Sequence, residues 1–518
     1  MAAKNRKCKV LLCVTHKDQY NGYSLVGYEL ARRVANHPDI QLSIYGFQRF
    51  YEAAPGHRTE MPACVDIYDA WAHENPKGTG FGFGEIEQYV MAHRPDVVVL
   101  YNDLMVVTEL LKGLNKARAA GAVFKVVTLF DQVYLSQRRD LLTQMHDASD
   151  TIITFSKFWE DVFRGQHAVT KPTCYVHHGI DPMKRFPVNR VLARKYFNLR
   201  NDDWIILNLN RNQPRKRWDV CIQAFAEVLK THHKEPIKLL VGTAVQGAWN
   251  ILEIYERELR KRGLDMQEGM KHIVLLDNPQ RMTDAAINVL NSSCDIGINC
   301  CDGEGWGLTC FEQAAVGIPQ VASRVGGHKE FFDDDCALLV DPKMTYYVDH
   351  SRDSIGGEAQ LCDYRDFAAK IIEYYENNAL RSEHGRRARE RILSKYHWDR
   401  IAHKFSAILL AVHRGQPVDN IDDDGNVTPT LASTVDVPAP APPTSASVPA
   451  PAVTSVVVSA PAPAPAPASP VPAPTSPVPA HASHGKHAKS KKKKKDKDKD
   501  TLRELKSHLD KLLANAGG

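Results

Sequence analysis

The sequence predicts an α/β protein built from two consecutive doubly wound domains, followed by a tail of different composition. Three observations predict it. Continuous apolar runs, typical of parallel strands covered on both faces, alternate with helix-period segments through the first 190 residues. The same alternation restarts near Trp204 and runs to His413. From about Gly415 the apolar runs stop, and residues 437–480 are mostly proline, alanine, serine and valine.

Taken in order, Cys8–Thr15 reads as the first strand. A loop with Asn21-Gly22 leads into a helix over Tyr23–Ala35, where Leu25, Val26, Leu30, Ala31 and Val34 recur at helical spacing. Strands follow at Gln41–Phe47, Asp96–Tyr101, Phe124–Leu129, Thr151–Phe155 and Thr173–Val176. Helices are expected over Leu104–Ala117 and Lys157–Phe163, the latter capped by Ser156. The second set has strands at Trp204–Asn210, Ile237–Val241, Ile273–Leu276, Cys294–Asn299, Gln320–Ala322 and Ala337–Val340. Its helices are Arg217–Thr231, Trp249–Arg262, Met282–Leu290, Leu308–Val316, Arg365–Asn377, Arg381–Tyr396 and Trp398–His413. Met344–Glu358, charged and tyrosine-rich, reads as an exposed insertion. The expected domains are 1–190, 191–390, terminal helices at 391–414 packing back on the first domain, a disordered linker at 415–500 and a short amphipathic helix at 501–516. In that last helix Leu502, Leu505, Leu509 and Leu512 form an apolar stripe under three heptads long, either a partner-docking element or a fraying tail.

Hydrophobic content of 43%, charged content of 25% and a net charge of +5 describe an ordinary globular chain. Much of the positive charge lies in the run Lys491–Lys495, so the folded part is near neutral, which argues against a nucleic-acid binder with a basic face. The 11 cysteines form no C-x-x-C pair and read as reduced core residues of a cytoplasmic protein. No run approaches the ~18 apolar residues of a membrane span.

Two stretches carry chemistry. Asp302-Gly303-Glu304-Gly305-Trp306-Gly307-Leu308-Thr309 is a glycine-rich turn between a strand and a helix. Its backbone N–H groups and the helix start suit a phosphate. Glu312 sits on an otherwise apolar helix, where a carboxylate requires hydrogen-bond partners such as ribose hydroxyls. Alone, such a turn reads better as a structural one with its glutamate bonded to nearby backbone. The second stretch, Asn208–Asp219, leaves the first strand of the second domain and carries Arg211 and Lys216 five positions apart. Two cations there are able to neutralise a diphosphate without a metal. Alone, it reads as a solvated basic loop.

Together these residues resemble the GT-B glycosyltransferases of family 4, the retaining nucleotide-sugar enzymes. The resemblance covers residues ~7 to ~412 and is strongest over Asp295–Glu330, which has Glu304 and Glu312 followed by Ala315-Val316-Gly317-Ile318-Pro319. Arg211/Lys216, His178-Gly179-Ile180-Asp181 and Tyr396-His397-Trp398 match in order. The resemblance implies transfer of a hexose-type sugar from a UDP- or GDP-sugar to the hydroxyl of a carbohydrate, glycoprotein or lipid-linked acceptor. It implies that Arg211 and Lys216 grip the donor diphosphate, that Glu304 bonds the sugar, and that Gly305, Trp306, Gly307, Leu308 and Thr309 line sugar and phosphate through their backbone. Glu312 would hold the ribose, the base would lie near Leu276–Pro279, and Gly22 would border the phosphates and acceptor. A phosphate oxygen would help remove the acceptor proton, so no protein nucleophile, cofactor or metal is implied. Where many members carry a histidine, this chain reads Phe130-Asp131. Asp131 is therefore a candidate polar replacement or a local cap, and Asp103 is a similar candidate. A non-catalytic sugar-nucleotide-binding scaffold and a DNA-modifying glycosyltransferase are the alternatives.

Overall fold

The computed structural model describes residues 6–54, 56–276 and 281–427. The first sheet has seven parallel strands, β1 (Cys8–Thr15), β2 (Ile40–Phe47), β3 (Asp66–Asp69), β4 (Val97–Asp103), β5 (Lys125–Asp131), β6 (Thr151–Thr154) and β7 (Thr173–Tyr175), in the order β3-β2-β1-β4-β5-β6-β7. The second has six, β8 (Trp204–Asn208), β9 (Ile237–Val241), β10 (Ile273–Leu275), β11 (Ile296–Asn299), β12 (Gln320–Ser323) and β13 (Leu338–Val340), in the order β10-β9-β8-β11-β12-β13. Both orders reverse direction once, between β1 and β4 and between β8 and β11, and ligands bind beyond the carboxyl ends of strands at such points. The central strands are buried on both faces, which is why they read as unbroken apolar runs: Val97–Leu100 and Ile205–Leu207 are at most 1% exposed.

Helix Asn378–Lys395 packs on helix Leu308–Ala315 in the second domain, and helix Trp398–Arg414 packs on helix Gly22–Val34 in the first. The chain crosses between them at Tyr396-His397, where Ile180 and His397 form a parallel bridge. The Ile180 N–H donates to the Tyr396 carbonyl at 2.7 Å.

Two expectations are corrected. Met344–Glu358 is not an exposed insertion. It belongs to an antiparallel hairpin, β14 (Pro342–Val348) and β15 (Gly357–Cys362), with a short helix, His350–Asp353, in the turn. Val348, Ile355 and Ala359 bury in the core of the first domain, and Glu358 exchanges backbone hydrogen bonds with Leu135 in the segment after β5. These buried residues are scattered among exposed polar and tyrosine positions, so no apolar run reveals them in the sequence. Residues 415–427 are likewise not linker: Val418 and Ile421 are buried, and Lys404 pairs with Asp423 at 2.7 Å. The rest of the expected linker and the helix at 501–516 lie outside the described residues. No described helix is long and apolar enough to cross a membrane. Ten cysteines are buried, Cys64 is exposed, and all are free.

Trp398 is 3% exposed beneath Gly179 and Ile180. Truncation of a buried aromatic of this kind costs ~3–5 kcal/mol, so Trp398→Ala is expected to lower the urea unfolding midpoint markedly. An unchanged midpoint would show that the returning helix contributes no stability.

Candidate functional site

The basic loop and the glycine turn leave adjacent strands. Ile206 and Leu207 of β8 pair with Ile296 and Gly297 of β11, so both loops rise at the reversal of the second sheet. The loops are tied together: the Asp302 N–H donates to the Arg215 carbonyl at 3.0 Å, and the Thr309 hydroxyl donates to Asn210 Oδ1 at 3.1 Å. Asp302 is 1% exposed, and Arg352 and Tyr346 of the hairpin donate to its carboxylate.

Glu304 is 5% exposed. Lys216 forms an ion pair with its Oε2, and Arg215 Nη1 donates to its Oε1 at 3.0 Å. Burial pushes this carboxyl up, but Lys216 and Arg215 outweigh burial and hold it far below the usual carboxylate range. Arg211 differs: its guanidinium has no carboxylate within ion-pair distance among the described residues, and it faces open cleft between walls that desolvate it. Crowding by these walls and then the neighbouring Arg215 lower its pKa, although its side chain is exposed to the cleft, so an anion placed here is favoured by both cations.

Glu312 is held from the first domain. Arg185 donates from Nε and Nη2 to its Oε1 at 3.1 and 2.8 Å, and from Nη1 to the Asp284 carbonyl at 3.0 Å. Both contacts fall on Oε1, leaving Oε2 for a ligand hydroxyl. Burial raises the Glu312 pKa, and Arg185 offsets part of it. Arg58, also from the first domain, makes two contacts with the Asp284 carboxylate at 3.0 and 3.1 Å.

Gly22 begins the helix Gly22–Val34, and a Cβ there would lie 2.8 Å from Leu308 Cδ1 at the start of helix Leu308–Ala315. The absent side chain lets two helix N-termini approach across the cleft, a combined field that suits an anion. Asp131 is the last residue of β5, 8% exposed, and accepts from the Tyr23 hydroxyl through Oδ2 at 2.8 Å. Its Oδ1 has no hydrogen-bond partner. A Cβ on Gly305 would come within 1.7 Å of that oxygen, so only glycine admits the carboxylate here. Burial pushes the Asp131 carboxyl up to about 6, against the opposing pull of Arg215.

Other sequence candidates fall elsewhere. Asp103 caps helix Leu104–Ala119, accepting from the Val106 N–H at 3.1 Å, and is not among the residues lining the cleft. Trp306 lines the cleft but is 2% exposed, its ring packed among His177, His178, Phe311 and Tyr396. Gly307 is the N-cap of helix Leu308–Ala315, and Leu308 and Thr309 face the cleft. Cys301, Glu304 and His328 bring ligand-type atoms within 4.8 Å of one another, but the Lys216 ammonium already occupies the carboxylate, and burial pushes the Cys301 thiol up to about 12.

The cleft has a volume of about 600 Å³, enough for a nucleotide sugar. Residues 277–279, expected near a base, lie outside the described residues. The neighbouring end is lined by Thr243, Gln246, Met282 and Ile287, which the sequence did not single out. Arg215, Arg185 and Arg58 were missed too. Arg215 stands beside Lys216 and carries a legible signal, whereas Arg185 and Arg58 sit in connecting segments and acquire partners only through folding.

Two doubly wound domains facing a cleft of this construction are a GT-B fold. Solved structures agree: sucrose-phosphate synthase from Thermosynechococcus elongatus superimposes with a TM-score of 0.61 at 15% identity, covering 79% of this chain and 100% of that one. HepE of Anabaena, solved with UDP-glucose, gives 0.57 at 14%, covering 78% and 99%. The family model described as glycosyl transferases group 1 matches residues 190–355, within the second domain. The D-inositol 3-phosphate glycosyltransferase of Acidothermus cellulolyticus is 30% identical over 158 residues, 30% of this chain and 34% of that protein. A protein of the same description, numbered 2, from Catenulispora acidiphila is 31% identical over 152 residues, 29% and 34% of the two chains. The chain thus aligns with about a third of the length of these relatives.

Asp131 provides a pH signature. Its folded pKa of about 6 lies above the value of 3.8 for an unperturbed aspartate, so the folded state binds the extra proton between these pH values. Its contribution to stability is fully present below about pH 4 and falls as pH rises through 6, by on the order of 3 kcal/mol. Relative to wild type, Asp131→Asn should therefore gain stability between pH 4 and 7. A pH-independent difference in urea midpoints would refute the raised carboxyl.

Proposed function

We propose that the protein is a retaining glycosyltransferase that moves a hexose-type sugar from a UDP- or GDP-sugar to an acceptor hydroxyl. The observation that carries this reading is Arg211, a cation without a carboxylate partner among the described residues, poised in the cleft beside Lys216 and two facing helix N-termini. In this reading the donor diphosphate lies against Arg211, while Lys216, which has three N–H donors, is shared between Glu304 and a phosphate oxygen. Negative charge grows on the diphosphate as the sugar leaves, so these contacts strengthen in the transition state. Glu304, kept ionised and oriented by Arg215, accepts from hydroxyls of the transferred sugar. Glu312 offers Oε2 to the ribose. The acceptor hydroxyl approaches on the face from which the diphosphate departs, and a phosphate oxygen helps take its proton. Asp131, which lines the cleft and accepts from the Tyr23 hydroxyl, faces the sugar from the first domain and orients the acceptor. The domain assignments follow, with residues 1–190 on the acceptor side and 191–390 binding the nucleotide sugar. Support comes from the group 1 match of the second domain and from a GT-B structure solved with UDP-glucose.

Lys216→Ala and Arg211→Ala are each expected to lower kcat/KM for sugar transfer or donor hydrolysis by ~100-fold or more, with thermal unfolding showing a retained fold. A panel of nucleotide sugars, read by nucleotide release, checks it. Wild-type rates in both variants would remove this site from the reaction. Calorimetric binding of a nucleoside diphosphate by wild type, without turnover of any sugar donor, would instead make the protein a binding module.

A further inference from the structure

The first-domain wall of the cleft differs in chemistry from the donor side. Its two cations are already engaged. Arg58, 6% exposed, donates from Nε and Nη2 to the Asp284 carboxylate at 3.0 and 3.1 Å, and from Nη1 to the Lys17 and Gln19 carbonyls at 3.1 and 2.9 Å. Arg185 is held by Glu312 and the Asp284 carbonyl. What this wall offers a ligand is amide and ring. The Gln48 amide, half-buried and lining the cleft, has no hydrogen-bond partner among the described residues. Gln48 sits in the left-handed backbone region at φ 59°, uncommon for glutamine, directly after β2. Asn21 also lines the cleft. Its Oδ1 accepts from the Ser24 N–H at 2.8 Å, and its amide nitrogen has no partner among the described residues. Both unpartnered amides are open to solvent. Phe50 and Tyr51, 43% and 40% exposed, line the same wall. Phe50 is nonetheless fixed in place. Trp71 meets its ring edge-on with centroids 5.3 Å apart, and a Cβ on Gly80 would lie 2.6 Å from its Cε1. The Arg281 guanidinium lies 4.1 Å from the Tyr51 ring centroid and is not among the residues lining the cleft.

We infer that the acceptor is an uncharged saccharide held by Gln48, Asn21 and Phe50, an inference that rests on the reaction proposed above. The open amides bond sugar hydroxyls, and the Phe50 ring lies against the apolar C–H face of a pyranose. Asn21 adjoins Gly22, where the two helix N-termini meet, so a hydroxyl held here lies beside the donor diphosphate. A phosphorylated acceptor meets two costs. Among the described residues this wall has no cation left to pair with it, and an unpaired charge between desolvating walls is expensive. The donor diphosphate, held by Arg211 and Lys216, also repels it. Charge on the acceptor is therefore selected against, and the choice among neutral sugars falls to the amides and the ring.

Steady-state transfer by the full chain, using the nucleotide sugar that the donor panel identifies, tests this with acceptors that differ in a phosphate. Glucose is compared with glucose 6-phosphate and myo-inositol with inositol 3-phosphate, and maltotetraose serves as a longer neutral glycan. At least one neutral acceptor is expected to give a kcat/KM tenfold or more above either phosphorylated compound. Phe50→Ala and Gln48→Ala should each raise the KM for that acceptor tenfold or more, with the donor KM changed less than twofold and thermal unfolding showing a retained fold. Preference for a phosphorylated compound, or donor hydrolysis with no transfer to any neutral one, overturns the inference and leaves the proposed reaction standing. So does an acceptor KM unmoved in both variants. Absence of nucleotide release from every donor, with or without acceptor, removes the proposed reaction and the inference with it.

Discussion

The buried carboxylate of Glu304, held between Lys216 and Arg215, is the constraint on which the site depends. A buried charge is tolerable only with partners of good geometry, and removing one partner of such a pair typically costs ~3–5 kcal/mol. This pairing dictates much around it. The two loops must rise from neighbouring strands, and Asp302 must be neutralised independently by Arg352 and Arg217, with the Tyr346 hydroxyl donating to it. Gly305 must lack a side chain so that Asp131 closes over the turn. Arg211 is the one cation of the group left without a carboxylate, and it faces the cavity. The charge arrangement is thus complete on the protein side at Glu304 and incomplete at Arg211.

A second set of charges works between the domains. Arg58 and Arg185 reach across from the first domain to Asp284 and Glu312 of the second. Glu312 therefore fixes the domain approach through Oε1 while presenting Oε2 to the cleft. One side chain is thus tied to the first domain and lines the cleft, and in the proposed function a ribose bonded at Oε2 would meet a carboxylate whose orientation is already set, which would lower the ordering cost of binding.

Much of this was legible in the sequence. Strands buried on both faces announce themselves as apolar runs, and the E-x7-E spacing with the R-x4-K loop marked Glu304, Glu312, Arg211 and Lys216 as one group. The structure brings those four into a single cleft. What remained hidden is relational. Arg185 and Arg58 are unremarkable until folding carries them over 100 positions to their partners, 127 and 226 residues away along the chain. Asp103 and Asp131 looked alike at the ends of neighbouring strands. Their pairing in register shows them side by side, yet one turns to cap a helix and the other to the cleft. The hairpin was obscured because its few buried residues are scattered among exposed ones and bury against a domain distant in sequence.

That hairpin bears on how far the second domain is a module. The family match ends at residue 355, inside the turn between β14 and β15. A fragment cut at those limits loses β15, the partner of β14 among the described residues, and with it the strand-like bonds to Leu135. It also uncovers Trp306, Phe311 and Phe331, whose aromatic cluster is completed by Tyr396. The recognisable sequence unit is therefore smaller than the unit able to fold. Exchange of this domain between proteins by recombination succeeds only if the breakpoints carry the hairpin and the returning helix along.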